Sequence, residues 1–344
     1  MIDKTEEQIM NSWIGEKTKP VVSVRCMAYN HADYIAKALD GFLAQKTTFP
    51  FEIIVHDDAS TDGTTRILRE YAKKYPHIIA PIIETENQFK KNNGVIEKAI
   101  NETIRGNYIA YCDGDDYWND PDKLQIQYEY MESHPECALC THNTIMHNLL
   151  TNKESLFFEW KEPVHILTPD EVFFDWNVHL SSYFIHRELV TYRNAFPRVW
   201  CGDYVMLLCA FSKGTVAALN RVMSCYNFNN QNGITWENKL LRKNGPDKEE
   251  KRYDFLVRFN ELTNYKYDDC VQRRLSRVQL DIILHKRLSI DSYRSFRNFR
   301  KDCKASTPYN KWFKELSWIG KMKEVIVMNS YLGLRSYLSL KSRM

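Results

Sequence analysis

The densest group of acidic side chains follows a short apolar run. Tyr108-Ile-Ala-Tyr-Cys112 is succeeded at once by Asp113, Asp115 and Asp116. Carboxylates this close repel one another unless a cation or a proton relieves the repulsion, and Asp-Gly-Asp can aim two oxygen ligands at one hard divalent ion. The spacing therefore indicates a metal site at the carboxyl end of a buried strand. Because Asp and Gly are also common in turns, a plain turn before the helix start at Pro121 is the alternative.

Two further polar pairs each follow a run rich in β-branched residues. Tyr29-Asn30 closes the first run and Asp57-Asp58 closes the second. A tyrosine ring offers a flat face for stacking, and a carboxylate accepts hydrogen bonds from ligand N–H groups. Each pair also has a purely structural explanation, since Tyr29 could pack in the core and the acids from Asp58 to Asp62 could cap the next helix.

These residues need strands to position them, and the first third of the chain predicts such strands. Short β-branched runs alternate with segments whose apolar residues recur at helical spacing. The strands are predicted at 21–27, 51–56, 77–83 and 108–111, and the intervening helices at 35–42, 67–75 and 95–104. This alternation is typical of an α/β fold with a doubly wound, mostly parallel sheet flanked by helices, in which ligands bind beyond the carboxyl ends of the strands.

The order is less regular after Pro121. Strands are predicted at 138–142, 179–186 and 216–226, and helices at 124–133, 201–210, 271–288 and 325–340. The helix at 201–210 carries Asp203 at its entry, a common position for a capping residue.

Charge divides the chain of 344 residues unevenly. Residues 237–344 contain 25 Lys or Arg and 13 Asp or Glu, and since the whole chain carries +3, the part before residue 237 is net acidic. We therefore predict a polar leader at 1–19, a large α/β domain at 20–235 and a basic, mainly helical appendage at 236–344.

Composition also limits the cellular context. No apolar stretch is long enough for a membrane span and the first residues lack a signal-peptide pattern, so we expect a cytoplasmic protein. The nine cysteines show no disulfide framework. Cys137 and Cys140 form one CxxC, but no second ligand pair has metal-like spacing, and core packing is favoured over zinc.

Four segments together resemble the family 2 glycosyltransferases of the GT-A fold. They are Ser23–Asn30, Glu52–Thr64, Gly106–Trp118 and Gly202-Asp203. The resemblance covers roughly residues 20 to 235. It implies inverting transfer of a sugar from a nucleotide-sugar, expected to be UDP-linked, to a glycan or lipid-linked glycan acceptor, as in cell-surface polysaccharide synthesis.

The resemblance also implies roles for the residues singled out above. Nucleotide contacts are expected from Tyr29, Asn30, Asp57, Asp58 and Asp113. Mn²⁺ or Mg²⁺ is expected on the acid cluster, where Asp113 and Asp115 form the Asp-x-Asp pair and Asp115 contacts the metal directly. Asp116 is expected to bind the ion, to contact the sugar or to cap the next helix. Asp203 matches the position of the base that deprotonates the acceptor hydroxyl.

The sequence departs from the family pattern at one position that bears on catalysis. Many relatives carry Arg-x-His after the last sheet strand, and Asn229 stands here where that histidine is expected. The alternative is therefore a nucleotide-sugar binding module without turnover. A nucleotidyltransferase is a weaker alternative, because the first strand is not followed by a glycine-rich, basic phosphate loop.

The basic appendage suggests a partner of its own. Helices rich in Lys and Arg suit attraction to the anionic inner face of a membrane, where lipid-linked acceptors reside. Peripheral membrane contact is therefore expected, with an ordinary solvated helical surface as the alternative. No nucleic-acid-binding motif accompanies the positive charge.

Overall fold

A computed structural model describes residues 2–91, 94–175, 177–196, 202–231, 246–286, 293–317, 321 and 324. The chain divides into two compact units. The first comprises Met1–Ala195 and Cys201–Glu237, and the second comprises Phe196–Trp200 and Asn238–Met344. The domain boundary predicted from composition, between residues 235 and 236, stays a prediction.

The first unit is built on one sheet. Its strands are β1 (Val22–Ala28), β2 (Phe51–Asp57), β3 (Ile79–Ile83), β4 (Tyr108–Tyr111), β5 (Tyr117–Trp118), β6 (Cys137–Asn148), β7 (Lys153–Leu156), β8 (Val164–Ile166), β9 (Phe184–His186) and β10 (Thr215–Phe228). The main path runs β3-β2-β1-β4-β9-β6-β10-β5, with β7 paired to β6 and β8 to β10. The predicted α/β class is confirmed. The sheet is parallel from β3 to β4, and beyond β4 it is mixed, since β9 is antiparallel to both of its neighbours.

Helices connect and cover these strands. They are α1 (Glu6–Met10), α2 (Ile35–Leu43), α3 (Thr64–Lys74), α4 (Val95–Thr103), α5 (Lys123–Ser133), α6 (Pro169–Phe174), α7 (Glu188–Arg193) and α8 (Gly202–Lys213). α2 shows why they form: Ile35, Ala38, Leu39 and Phe42 recur at helical spacing, and all are fully buried. One stripe of the helix is therefore fully buried, while Lys37 on the opposite side is exposed.

The order of the first four strands changes direction at β1. The chain leaves β1 for β2 and β3 on one side and then returns to β4 on the other side. β1 and β4 therefore flank a topological switch point. Such a switch point is where open α/β sheets bind ligands.

Some predicted elements differ from the observed ones. Residues 179–186 were predicted as one strand, but a 3₁₀ turn at Leu180–Ser182 precedes β9, which has only three residues. β6 continues six residues past the predicted end at His142. The predicted leader contains α1, and Trp13 beyond it packs edge-on against Phe51 with ring centroids 5.3 Å apart.

The second unit is helical where it is described. Its helices are α9 (Pro246–Leu262), α10 (Asp268–Lys286), α11 (Tyr293–Ala305) and α12 (Thr307–Glu315). The helix predicted at 325–340 lies outside the described residues. Among the described residues, none of the helices is both long and apolar enough to cross a bilayer.

Cys137 and Cys140 are buried in β6 as free thiols. This agrees with core packing.

Candidate active site

The ends of β1 and β4 are joined by backbone hydrogen bonds. Cys112 N–H donates to Arg25 O at 3.1 Å, and Gly114 N–H donates to Met27 O at 2.7 Å. A methyl group on Gly114 would lie 2.7 Å from Ile35 Cδ1 and 3.2 Å from Met27 O. Glycine is therefore needed for the acid loop, residues 113–116, to lie this close to β1.

The acid loop concentrates negative charge that the protein only partly compensates. Burial and the neighbouring Asp115 raise the pKa of Asp113 from 3.8 to about 6. Burial and Asp115 also raise the pKa of Asp116 well above its usual range, although the backbone N–H of Asn227 opposes this rise. The loop is thus a place where added positive charge is favourable.

Asparagines at the end of β10 and just after it hold the acid loop. Asn227 N–H donates to Asp116 Oδ1 at 2.9 Å, and its side-chain amide donates to Asp115 O at 2.5 Å. Asn230 Nδ2 donates to Asp115 Oδ2 at 3.2 Å. Asn229 instead donates to Asn148 Oδ1 at 3.3 Å. The side chain at the position expected for histidine is therefore engaged elsewhere, and Asn227 and Asn230 contact the acids.

Two histidines that sequence reasoning missed flank the acid loop. His31 Nε2 lies 3.8 Å from Asp115 Oδ2, and His179 Nδ1 lies 3.8 Å from Asp116 Oδ2. Burial lowers the pKa of His179 from 6.5 to about 4, although Asp115 opposes this effect. His31 follows Tyr29-Asn30 directly and could have been included with that pair. His179 has no local sequence signal, because only the folding of the sheet brings it to Asp116.

A buried lysine lies behind the acid loop. Lys123 Nζ donates to Gln127 Oε1 at 2.6 Å and sits 4.0 Å from the Trp118 ring centroid. Burial lowers the pKa of Lys123 from 10.5 to about 7. The Trp118 indole N–H donates to Ser181 O at 2.9 Å, and Gln127 donates to Ser182 O at 2.8 Å. These bonds fix the segment after His179 against β5 and α5.

The adjacent acids after β2 have different partners. Asp57 Oδ1 accepts hydrogen bonds from Ser60 N–H and Oγ–H, and Oδ2 accepts one from the Thr65 hydroxyl, so Asp57 closes the loop before α3. The Asp58 carboxylate accepts the backbone N–H groups of Gln88 (2.7 Å) and Phe89 (3.0 Å). Asp57 is thus a loop-closing residue in this structure, and Asp58 tethers the segment 86–91.

Asp58 and Tyr29 are brought together by β1. Asp58 N–H donates to Ala28 O at 3.0 Å, directly before the half-buried Tyr29. Asn30 has a left-handed backbone (φ 55°), and its Oδ1 accepts the Thr61 N–H at 2.8 Å. Two consecutive carbonyl groups of β1 therefore accept hydrogen bonds from its two neighbours: Met27 O from the acid loop and Ala28 O from Asp58.

Asp203 lies in the first turn of α8 and is half-buried. Its Oδ1 accepts the Tyr204 N–H at 2.9 Å, and its backbone carbonyl accepts the Tyr183 hydroxyl at 3.4 Å. Tyr183 O in turn accepts the Tyr111 N–H at 3.0 Å. Tyr183 therefore connects the start of α8 with the end of β4, two residues before Asp113.

The acid loop has the hard oxygen donors that Mg²⁺ and Mn²⁺ prefer. Burial, and after it the charge of Asp115, raises the pKa values of Asp113 and Asp116. No three His, Cys, Asp or Glu side chains are grouped as a metal site within the part of the chain that the structure describes. The donor chemistry of the acid loop fits a divalent cation.

The comparisons with known proteins agree with this arrangement. Residues 23–189 match the family model described as Glycosyl transferase family 2. An uncharacterized protein of Mycobacterium tuberculosis is 47% identical over 121 residues, which are 35% of this chain and 34% of that protein. Chondroitin synthase of Escherichia coli is 33% identical over 110 residues, 32% of this chain and 15% of that protein. The chain therefore spans about a third or less of the length of these relatives.

A solved structure shares the fold. The crystal structure of S. aureus TarS residues 1–349 in complex with UDP-GlcNAc matches with a TM-score of 0.56 and 16% identity, over 86% of this chain and 93% of that chain. A likeness at this identity concerns the fold, and it confirms the GT-A-type architecture predicted from the sequence.

Proposed function

We propose that this protein catalyses metal-dependent, inverting transfer of a sugar from a UDP-sugar to a glycan or lipid-linked glycan acceptor, and the match of residues 23–189 to the glycosyl transferase family 2 model supports this. The observation that carries the proposal is that the acid loop and Asp58 bond the last two residues of β1, Met27 and Ala28, directly before Tyr29. A nucleotide-sugar has a flat base, a doubly charged diphosphate and a sugar. The residues at the carboxyl ends of β1, β2 and β4 include chemically suitable partners for the base and for the diphosphate.

The base would bind at Tyr29 and Asp58. An ionised carboxylate has about four acceptor sites, and the backbone N–H groups of Gln88 and Phe89 occupy two of them. Asp58 can therefore still accept the ring N–H of uracil while the Tyr29 ring stacks on the base. Asn30 would lie beside the nucleoside. Asp57 would act indirectly, by closing the loop before α3.

The diphosphate would bind at the acid loop together with the cation. Asp115 and Asp113 would hold Mn²⁺ or Mg²⁺, and Asp116 would add a third carboxylate to the acid loop. When bound, the metal neutralises the negative charge that develops on the departing diphosphate. The amide of Asn230, which donates to Asp115 Oδ2, would keep that carboxylate oriented.

Asp203 would serve as the general base. Inversion at the anomeric carbon requires an acceptor hydroxyl to attack from the face opposite the leaving diphosphate, and a carboxylate must take its proton. The hydrogen bond from Tyr204 N–H fixes one oxygen of Asp203, and the Tyr183 contact holds the start of α8 near the end of β4. Both contacts support a carboxylate of fixed orientation.

The test compares two single variants with the wild type. Asp203→Asn should lower kcat for UDP-sugar transfer by about 10²- to 10⁴-fold, as for loss of a general base, while UDP affinity stays within about twofold. Asp115→Ala should abolish the stimulation by Mn²⁺ or Mg²⁺. Exposed Asp33→Asn is the charge-matched control. Undiminished transfer by either site variant would remove the role assigned to that residue. UDP binding by calorimetry without transfer or hydrolysis of any donor would favour a binding module.

We also propose that the second unit contacts an anionic membrane surface. Arg294, Arg297, Lys301 and Lys304 are exposed and follow one another at spacings of three or four along α11. Phe296, Phe299 and Cys303 are buried on another side of the same helix. The four basic residues therefore form a stripe on one side of α11.

The stripe lacks the local ion pairs that neutralise the neighbouring helices. In α9 and α10 four arginines pair with acids three or four residues away: Arg252–Glu249, Arg258–Glu261, Arg273–Asp269 and Arg277–Asp281. Over the described ranges, the four stripe residues have no such acidic partner. At about 1 kcal/mol for each basic residue near an anionic surface, the stripe would contribute about 4 kcal/mol.

Liposome flotation tests this contact. The full chain should float with vesicles containing phosphatidylserine and not with neutral phosphatidylcholine vesicles, and raised salt should weaken the association. Replacing all four stripe residues by glutamine should abolish flotation. A triple variant with Arg258, Arg273 and Arg277 replaced by glutamine should still float, because those arginines are already paired. Equal flotation of the stripe variant and the wild type would refute the proposal.

A further inference from the structure

His179 is held from several sides beside the acid loop. Its ring stacks on Tyr226 with centroids 4.1 Å apart and an interplanar angle of 24°, and Phe157 packs edge-on at 5.5 Å. Ser181 binds Nδ1 through its backbone N–H at 3.3 Å and lies within 2.9 Å of it through Oγ. The orientation of the imidazole is therefore fixed by stacking and by hydrogen bonds together.

These contacts decide which ring nitrogen carries the proton. A backbone N–H can only donate, so Nδ1 must be the acceptor, and the proton of the neutral ring lies on Nε2. Nε2 has no hydrogen-bond partner in the described part of the chain, and it is not among the polar atoms sealed away from solvent. His179 thus presents an oriented N–H donor that no protein group uses.

The place of His179 in the sheet suggests which part of the donor lies nearest. Tyr29 directly follows β1 and Asp58 directly follows β2, and both are proposed partners of the base. The acid loop follows β4 and is the proposed partner of the diphosphate. His179 precedes β9, the next strand along the sheet, and its Nδ1 lies 3.8 Å from Asp116 Oδ2. A donor that extends along the carboxyl ends of these strands would bring its sugar to this side of the acid loop.

We propose that His179 is a donor-sugar-binding residue whose Nε2–H donates a hydrogen bond to a hydroxyl group of the transferred sugar. The inference rests on the proposed function and adds to it a residue that distinguishes a UDP-sugar from UDP alone. The bond would orient the sugar so that its anomeric carbon faces the acceptor. The aromatic packing of Tyr226 and Phe157 would keep the donor nitrogen in place.

Calorimetry with UDP and with four UDP-sugars tests the inference. The sugars are glucose, galactose, N-acetylglucosamine and glucuronic acid, all measured with Mn²⁺ present. His179→Phe keeps a flat ring against Tyr226 and removes the N–H. We expect it to weaken the best-bound UDP-sugar about 5- to 10-fold, the usual effect of one lost hydrogen bond, and to leave the Kd for UDP within about twofold. His179→Gln, which retains an N–H donor, should recover part of the loss.

Controls separate this role from a structural or a metal-binding one. His147→Phe changes a histidine whose ring bonds Asn152 instead, and it should leave both affinities unchanged. A lower melting temperature with equal losses for UDP and UDP-sugar would overturn the inference in favour of a packing role. A higher Mn²⁺ requirement in His179→Phe would overturn it in favour of metal ligation.

The remaining outcomes divide between the two proposals. If the wild type binds and transfers a UDP-sugar and His179→Phe does so equally well, only the inference about His179 fails. If the wild type binds none of the four UDP-sugars, the proposed function fails and the inference falls with it.

Discussion

Replacing Asp113 by asparagine is expected to stabilise the metal-free protein at neutral pH while abolishing sugar transfer. Asp113 lies in the acid loop, where burial and Asp115 raise its pKa from 3.8 to about 6. A raised carboxyl pKa means that ionisation is less favourable in the folded than in the unfolded protein. Asparagine carries no charge and avoids this cost.

The magnitude follows from the pKa values. Each pKa unit corresponds to about 1.4 kcal/mol, so a rise from 3.8 to about 6 amounts to about 3 kcal/mol. The cost is small below pH 4, because Asp113 is protonated in the folded state and only partly ionised in the unfolded state. It grows between pH 4 and pH 6 and is fully present above pH 6. At about 2 °C per kcal/mol for a unit of this size, the asparagine variant should melt about 6 °C higher at pH 7.5.

The measurement is thermal unfolding of wild type and Asp113→Asn at pH 4 and pH 7.5, in EDTA and in excess Mn²⁺. The stabilisation should be largest at pH 7.5 in EDTA and small at pH 4. Mn²⁺ should reduce the difference in melting temperature between the two proteins, because it stabilises the wild type. Exposed Asp33→Asn makes the same charge change and should have little effect at either pH.

Two results would refute this reasoning. A stabilisation of equal size at both pH values would mean that the ionisation of Asp113 is not its source. A variant less stable than the wild type at pH 7.5 in EDTA would mean that the Asp113 carboxylate is already compensated by the protein.

Two other substitutions test the packing around the acid loop. Gly114→Ala should destabilise the first unit by about 1–3 kcal/mol and lower transfer activity, because the added methyl group would lie 2.7 Å from Ile35 Cδ1. Denaturant unfolding measures the loss of stability. The control is Gly202→Ala, whose added methyl group would meet only Arg193 Nη2, at 4.0 Å. Lys123→Met should change stability in a pH-dependent way: burial lowers the pKa of Lys123 to about 7, so its charge costs the folded state most below pH 7 and progressively less up to about pH 10.5. Chemical unfolding should therefore show a higher free energy of unfolding for the methionine variant, relative to wild type, at pH 6 than at pH 9.5. A difference in stability that does not change with pH would contradict a cost from the Lys123 charge.

The parts of the site that depend on local sequence were predictable. β1, β2 and β4 are short apolar runs that end in polar residues, so the sequence indicated both the strands and the groups at their carboxyl ends. The acid loop was found for the same reason. Its position next to Tyr29 followed from the general rule that parallel strands align their carboxyl ends.

What depends on long-range hydrogen bonding was not predictable. β6 was predicted too short because Asn143 and Thr144 are polar, yet both are buried, with hydrogen bonds to Phe158 O and to Ser224 Oγ. Residues 179–186 alternate enough to suggest a strand, but Ser181 and Ser182 are buried in a 3₁₀ turn. His179 was missed as a site residue for the same reason, since its environment comes from distant segments.

The asparagines at the end of β10 and just after it show how a motif position and a structural position can differ. The family pattern directed attention to Asn229 as a replacement for histidine. In the structure Asn229 bonds Asn148, and Asn227 and Asn230 contact the acid loop. A shift of one or two residues within a polar run changes which side chain faces the site.

The double use of Asp58 has a practical consequence for engineering. The carboxylate that would read the nucleobase also anchors the backbone of Gln88 and Phe89. Exchanging Asp58 to accept a different nucleotide would therefore release a neighbouring loop at the same moment. A redesign of base preference would have to rebuild the 86–91 segment together with its anchor.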